Sequence, residues 1–266
     1  VRPGPLALTA GVAAAVTAGV LHAERDGRLP GAARWRRTNH AGAGVTLVEG
    51  LALAVGTTLP LLLADPPAAG AVAGAALAGI VDDLGDAAAA KGLRGHLGAL
   101  RRGEVTTGTV KIAALLGSGL VGCLWSDRRV GAWSGWPTLV GAALVAGSAN
   151  LANLLDLRPG RALKVGLVLG LPLALRGRPA AAAVCASGTV VLPPDLRGET
   201  MLGDTGANPL GAAVGLAATQ VLGPRGRLAA LAVVAGLTLL SERVSFSRVI
   251  GSTPVLRDLD RWGRPR

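Results

Sequence analysis

Tyrosine is absent from these 266 residues, and phenylalanine and methionine occur once each. A core filled by aromatic rings, the usual way a water-soluble domain gains buried area, is therefore excluded. Charge is scarce too. Only 16% of residues are Asp, Glu, Lys or Arg, while 50% are hydrophobic before the 40 glycines are counted, which is far from a globular average. Lysine occurs three times against 24 arginines, the mark of a GC-rich coding sequence, so part of the Ala and Gly bias carries no structural message. Cys123 and Cys185 lie in separate apolar segments and read as packing residues rather than a disulfide. The apolar run Leu6 to Val20 is followed by charged residues with no small-residue cleavage site, so a cleavable signal peptide is not expected.

What is present is Ala, Leu, Val and Gly in membrane-length runs. A spanning helix needs roughly 20 mostly apolar residues. Candidates fall at 4–23, 44–64, 68–82, 108–125, 137–154, 162–176, 179–194, 207–222 and 227–241, the sixth and seventh being the weakest and compatible with re-entrant segments. The fold class expected is all-α: a polytopic integral membrane helical bundle of about nine transmembrane helices, one membrane domain over 1–266. The small side chains suit close helix–helix approach in lipid. The formal charge of +11 does not point to nucleic acid, because the basic residues are spread between apolar runs and form no single face. They report topology instead. With the N-terminus outside, 20 Lys and Arg fall on the cytoplasmic side and 7 outside, so N-out, C-in is expected.

Under that assignment three polar constellations share the cytoplasmic face. The first is Asp82, Asp83 and Asp86 at the end of an apolar run, followed by Lys91, Arg94 and His96. On a helix the three acids share one face. Like charges that close persist when a cation or a metal-bound polyphosphate neutralises them. The second is Asn150, Asn153 and Asp156, three apart on one helix side, followed by Arg158, Arg161 and Lys164. Polar groups inside an apolar segment are costly without partners and are functional candidates. The third is Gly203-Asp204-Thr205-Gly206 before an apolar helix, where glycines admit a close ligand and a helix N-terminus favours an anion. A weaker stretch, Arg37-Thr38-Asn39-His40, precedes Gly42 and Gly44.

Together, Asp82-Asp83-Leu84-Gly85-Asp86, Asn150-x-x-Asn153-x-x-Asp156 and Gly203-Asp204-Thr205-Gly206 resemble, in order and setting, the motifs of the polyprenyl-phosphate N-acetylhexosamine-1-phosphate transferases, the MraY/WecA superfamily. The resemblance runs over a core of about 37–262. It implies a bacterial, multi-pass plasma-membrane enzyme that moves a sugar-1-phosphate from a UDP-sugar to a polyprenyl phosphate, releasing UMP and initiating a cell-envelope glycopolymer. It implies Mg²⁺, with Mn²⁺ as a substitute. Asp204 resembles the principal metal ligand, Asp82 a second ligand, and Asp82 and Asp83 the pair that handles the lipid phosphate. Asp86, Lys91, Asn150, Asn153, Asp156, Arg158, Arg161, Lys164, Gly203 and Thr205 are the expected substrate-binding residues. A homodimer is left open.

The chain departs from the family in two places. Asp156 is followed by Leu157-Arg158-Pro159-Gly160-Arg161 instead of a glycine-rich run with a further Asp, and the His-rich cytoplasmic segment is missing, since His22, His40 and His96 are the only histidines. The peptide-bearing branch of the family carries paired late histidines, so a small UDP-N-acetylhexosamine is the expected donor. Two other readings compete. An ion-coupled transporter would distribute acids through the bilayer depth, and a non-catalytic homologue would bind lipid without turnover.

Overall fold

A computed structural model describes residues 4–38, 42, 44–85, 95, 98–99, 101–132 and 135–265. Among these, the chain forms nine long helices and two short ones. They are α1 (Pro5–Arg25), α2 (Val48–Ala64), α3 (Pro66–Leu84), α4 (Thr107–Arg129), α5 (Trp136–Leu155), α6 (Arg161–Leu175), α7 (Pro179–Leu196), α8 (Gly203–Thr219), α9 (Pro224–Ser241), α10 (Phe246–Ser252) and α11 (Pro254–Arg261). Five of them, α1, α3, α4, α5 and α9, are long and apolar enough to cross a membrane. α2, α6 and α8, at 17, 15 and 17 residues, are shorter than a full span. The expectation of an all-α membrane bundle is met in this form. The weak segments at 162–176 and 179–194 are regular helices, α6 and α7, of 15 and 18 residues.

Local sequence sets the helix ends. Proline opens α1, α3, α7, α9 and α11 at the first or second position, where its missing N–H costs nothing. Asp65 alone joins α2 to α3, and its side chain caps α3 by accepting from the Ala68 N–H at 3.3 Å. Thr106 caps α4 in the same way through Thr109 N–H at 3.2 Å, and Arg128 and Arg129 in the last turn complement its dipole. A short hairpin, β1 (Arg36–Thr38) paired antiparallel with β2 (Gly44–Thr46), precedes α2. Nothing in the hydropathy pattern called for it.

The bundle is organised around α8. Fourteen of its 17 residues are buried, against helices α2, α3, α5, α6 and α7. Backbones touch here because glycines leave room. A Cβ on Gly50 of α2 would overlap the Leu202 carbonyl oxygen, one on Gly79 of α3 the Asp204 carbonyl, and one on Gly211 of α8 the Ser148 carbonyl of α5. This is the small-residue packing that suits helices in lipid, where dispersion replaces the hydrophobic drive. At the other extreme, α9 has no buried residue and packs mainly on α5.

Consecutive long helices run in alternate directions. The C-terminal ends of α3, α5 and α7 and the N-terminal ends of α4, α6 and α8 therefore gather at one end of the bundle. Asp83 of α3 reaches Thr205 of α8 there, while Asp65 reaches Gln220 at the opposite end of the same two helices.

Candidate active site

The acidic motifs meet at the end where α8 begins. Lys111, near the start of α4, points its ammonium between Asp82 of α3 and Asp204 of α8. It donates to Asp82 Oδ2 at 3.2 Å and to Asp204 Oδ2. The Lys111 and Asp204 side chains are 12% and 13% exposed, and Asp82 is more open at 34%. Two carboxylates sharing one cation in a half-dry setting interact more strongly than surface pairs do. An ammonium has three donors, and among the described residues two of them are used, by Asp82 and Asp204.

Asp83 has a different task. Its Oδ1 accepts from the Asp204 N–H at 3.2 Å, and its Oδ2 accepts from the Thr205 N–H at 2.8 Å and the Thr205 hydroxyl at 2.7 Å. A helix begins with unsatisfied N–H groups and a positive dipole end. The sequence places an anion there, and the anion is the Asp83 carboxylate, so α3 caps α8 across the interface. Gly203 makes that possible. Its φ of +58° is unfavourable for other residues, and a Cβ there would stand 2.9 Å from Asp83 Oδ2. Arg37 donates to the Asp83 carbonyl oxygen and ties the β-hairpin to the end of α3.

Asp156, at the C-cap of α5, accepts from the Gly203 N–H at 3.0 Å. Burial raises its carboxyl well above the usual range, the Asp195 charge adds to this, and the Gly203 hydrogen bond opposes it. Asp195 of α7 accepts from the Gly160 N–H at 2.9 Å. Glu49, in the first turn of α2, is fully buried and accepts from the Thr200 hydroxyl, while its Oε1 has no partner among the described residues. The start of α8 is thus ringed by carboxyls from α2, α3, α5 and α7.

Asn150 and Asn153 lie half-buried in the last turns of α5, and among the described residues their side chains make no hydrogen bond. Arg158 is exposed. Arg161 and Lys164 are used elsewhere. Arg161 forms a two-pronged pair with Asp260 at 2.7 and 3.2 Å and donates to Ser247 at 3.0 Å. Lys164 donates to the carbonyl oxygens of Asp260, Leu259 and Trp262 at 2.7, 3.1 and 3.1 Å. Both therefore hold the C-terminal segment. Asp86 and Lys91, like Arg94, His96 and His40, lie outside the described residues.

A lateral groove of about 330 Å³ opens between α3 and α4. Asp82, Thr107 and Lys111 form its polar mouth, and Leu77, Ala78, Val81, Val110 and Ala114 its apolar wall, ending at Gly74 and Ser118. From Asp82 back to Gly74 the helix rises about 12 Å.

Sequence reading missed Lys111, Glu49 and Asp195. Lys111 had a signal: a lone cation near the positive end of an apolar helix is unfavourable unless acids face it. Glu49 is likewise the single acid in its apolar run. Donor chemistry fits a hard cation. Asp82 and Asp204 present carboxylate oxygens to one positive charge, and Mg²⁺ takes one or two carboxylates and completes its shell with water and phosphate oxygens. Among the described residues no three acidic, His or Cys side chains form a ready metal cage. Compared with known proteins, the chain matches no family model and no curated protein.

Proposed function

We propose that this chain is a polyprenyl-phosphate sugar-1-phosphate transferase. It takes a sugar-1-phosphate, in particular N-acetylhexosamine-1-phosphate, from a UDP-sugar and passes it to a polyprenyl phosphate at the cytoplasmic face of a bacterial plasma membrane. The observation that carries this reading is the meeting of Asp82, Lys111 and Asp204 at the mouth of an apolar groove open to the side of the bundle. A charged centre opening sideways into an apolar trough suits a substrate with an anionic head and a hydrocarbon chain. The N-out, C-in orientation, which puts this end in the cytoplasm where nucleotide sugars are, rests on the 20-to-7 division of Lys and Arg.

In the reaction an oxygen of the lipid phosphate attacks the sugar-proximal phosphorus. The bond from that phosphorus to the bridging oxygen breaks, and UMP leaves with the electron pair. A phosphate monoester is already largely dianionic near neutral pH, so the attacking oxygen needs no obligatory base. The protein's work is to bring two anions together and hold them in line. Lys111 neutralises phosphate charge at the groove mouth. Asp83, holding the first turn of α8, fixes Asp204 relative to Asp82. Asn150 and Asn153 offer free amides to the sugar or nucleotide. Asp82 and Asp204 would hold Mg²⁺, which supplies charge neutralisation on the diphosphate.

The test is direct. Purified protein, Mg²⁺, polyprenyl phosphate and a panel of UDP-sugars should release UMP, fastest with a small UDP-N-acetylhexosamine. Release with no donor in the panel would end the transferase reading. Faster release from the peptide-bearing donor would end the donor assignment alone.

A further inference from the structure

The last helix, α11, is divided into three sectors. At 100° per residue Val255, Leu256 and Leu259 share one arc, and Trp262 follows on it at the C-cap. These four side chains are 69%, 43%, 59% and 74% exposed. Asp260 lies to one side of the arc and faces the bundle, where Arg161 and Arg264 pair with it at 2.7 and 3.0 Å. Arg257, Arg261 and Asp258 occupy the remaining sector, and Arg257 pairs with Asp258 at 3.2 Å. Lys164 grips the backbone of 259, 260 and 262, and Arg264 donates to the Pro159 carbonyl oxygen at 2.9 Å, so the rotation of α11 about its own axis is fixed by the bundle. The apolar arc is therefore presented outward and not free to turn under.

We propose that α10 and α11 lie in the membrane interface, with this arc sunk among the headgroups and upper acyl chains of an anionic leaflet. Position argues for lipid as the occupant. α9 buries none of its residues and exposes Leu228, Val233, Leu237 and Leu239, so its flanks need an acyl-chain environment. α10 begins five residues after α9 ends, which carries the same apolar cover round to α11. Charge argues for the same occupant. Arg243, Arg248 and Arg261 are exposed along this segment, against the exposed acid Asp258, which Arg257 neutralises, and an amphipathic helix with arginines on its polar side and Leu and Trp on the other is built to lie in an interface. Tryptophan favours the headgroup level in particular. The inference requires the bundle to sit in a bilayer; it does not require the transferase reaction.

The experiment uses the full chain in vesicles of phosphatidylcholine, alone or mixed with phosphatidylglycerol. Single cysteines from Leu256→Cys, Leu259→Cys, Arg257→Cys or Arg261→Cys, in a Cys123→Ala, Cys185→Ala background, carry an environment-sensitive fluorophore. Labels at 256 and 259 should be quenched by headgroup-proximal spin-labelled lipid at least about twofold more than labels at 257 and 261, and iodide should show the reverse order. Phosphatidylglycerol should deepen the difference. Trp262→Phe in the otherwise native chain gives a second reading: it should remove a share of the tryptophan quenching by lipid brominated near the headgroup. Equal iodide quenching at all four positions would overturn the proposal. So would protection from iodide without lipid quenching, which would mean that protein covers the arc, a second copy of the chain included.

Discussion

The two ends of the bundle each hold a largely covered cation against carboxylate, and they treat it differently. At the far end Arg227 meets Asp127 with both prongs, at 2.7 and 2.9 Å. Thr138 donates to the same carboxylate at 2.6 Å, and the remaining guanidinium bonds go to the Thr219 and Pro137 carbonyl oxygens. One positive charge matches one negative charge, in the fork geometry that only Arg supplies. At the near end, among the described residues, one lysine serves Asp82 and Asp204, with Asp83 beside them, a sum of −2 over these four side chains beside an open groove. A saturated pair has nothing left to bind. An under-compensated one calls for another cation, and a flexible ammonium can exchange partners as it arrives. On the proposed function, closure at one end and charge deficit at the other divide structural from chemical work along the same helices.

The largest effect should come from breaking the closed pair. Arg227→Met leaves Asp127 buried without its counter-charge and should destabilise by about 3–5 kcal/mol. Thermal unfolding in detergent would show it, and the double variant with Asp127→Leu should recover most of the loss. If Arg227→Met instead abolished UMP release in a stably folded protein, the division between the ends would be wrong.

Next comes the near end. Asp204→Asn keeps the shape and removes one charge. Turnover should fall by at least about two orders of magnitude, some 2.7 kcal/mol of transition-state stabilisation, while the melting temperature stays close to that of the parent. Near-normal turnover would reduce Asp204 to a packing residue. A smaller change sharpens the charge argument. Lys111→Gln deepens the formal deficit from −2 to −3, and should slow UMP release about tenfold at low Mg²⁺, roughly 1.4 kcal/mol, with partial recovery as Mg²⁺ is raised. A loss untouched by Mg²⁺ would mean that Lys111 grips the substrate alone.

The smallest effect concerns pH. Burial of Asp260 would raise its carboxyl, but the Arg161 hydrogen bonds and the Arg161, Arg264 and Lys164 charges outweigh it and hold the group below the usual carboxylate range. A lowered folded value means the contribution is fully present above the unfolded value near 3.9, and is lost as pH falls through the folded value. Hydrogen-exchange protection over 254–264, relative to the intrinsic rate at each pH, should be lower near pH 3 than at neutral pH, and Asp260→Asn should remove most of that difference.

Much of the frame was legible because lipid imposes a simple rule. Each of the nine apolar runs became a helix near its expected bounds, and alternation of direction put the acidic motifs at one end. Side-chain partners were not legible, because they depend on which helix lies next door. Adjacent Asp82 and Asp83 read as a pair that handles one lipid phosphate, yet one faces Lys111 and the other caps α8. Arg161 and Lys164 read as phosphate-binding cations, yet their nearest anion and carbonyls come from a segment about a hundred residues on. Asp127 and Arg227, exactly a hundred apart, carried no signal in either segment.

The glycines at 50, 79 and 211 also constrain how the protein is made. Synthesis delivers helices in chain order. α2, α3 and α5 are complete well before α8 leaves the ribosome, yet α2 and α3 turn bare backbone towards it at Gly50 and Gly79, and the Ser148 carbonyl of α5 waits for Gly211 of α8 itself. Until about residue 219 has been inserted, the nascent bundle holds an unfilled slot, and in the membrane only lipid or an insertion factor can occupy it. A ribosome stalled between α5 and α8 would leave that slot open for longer, so elongation speed over roughly 156–219 should influence yield more than speed over the α9 segment, which is made after the slot is filled.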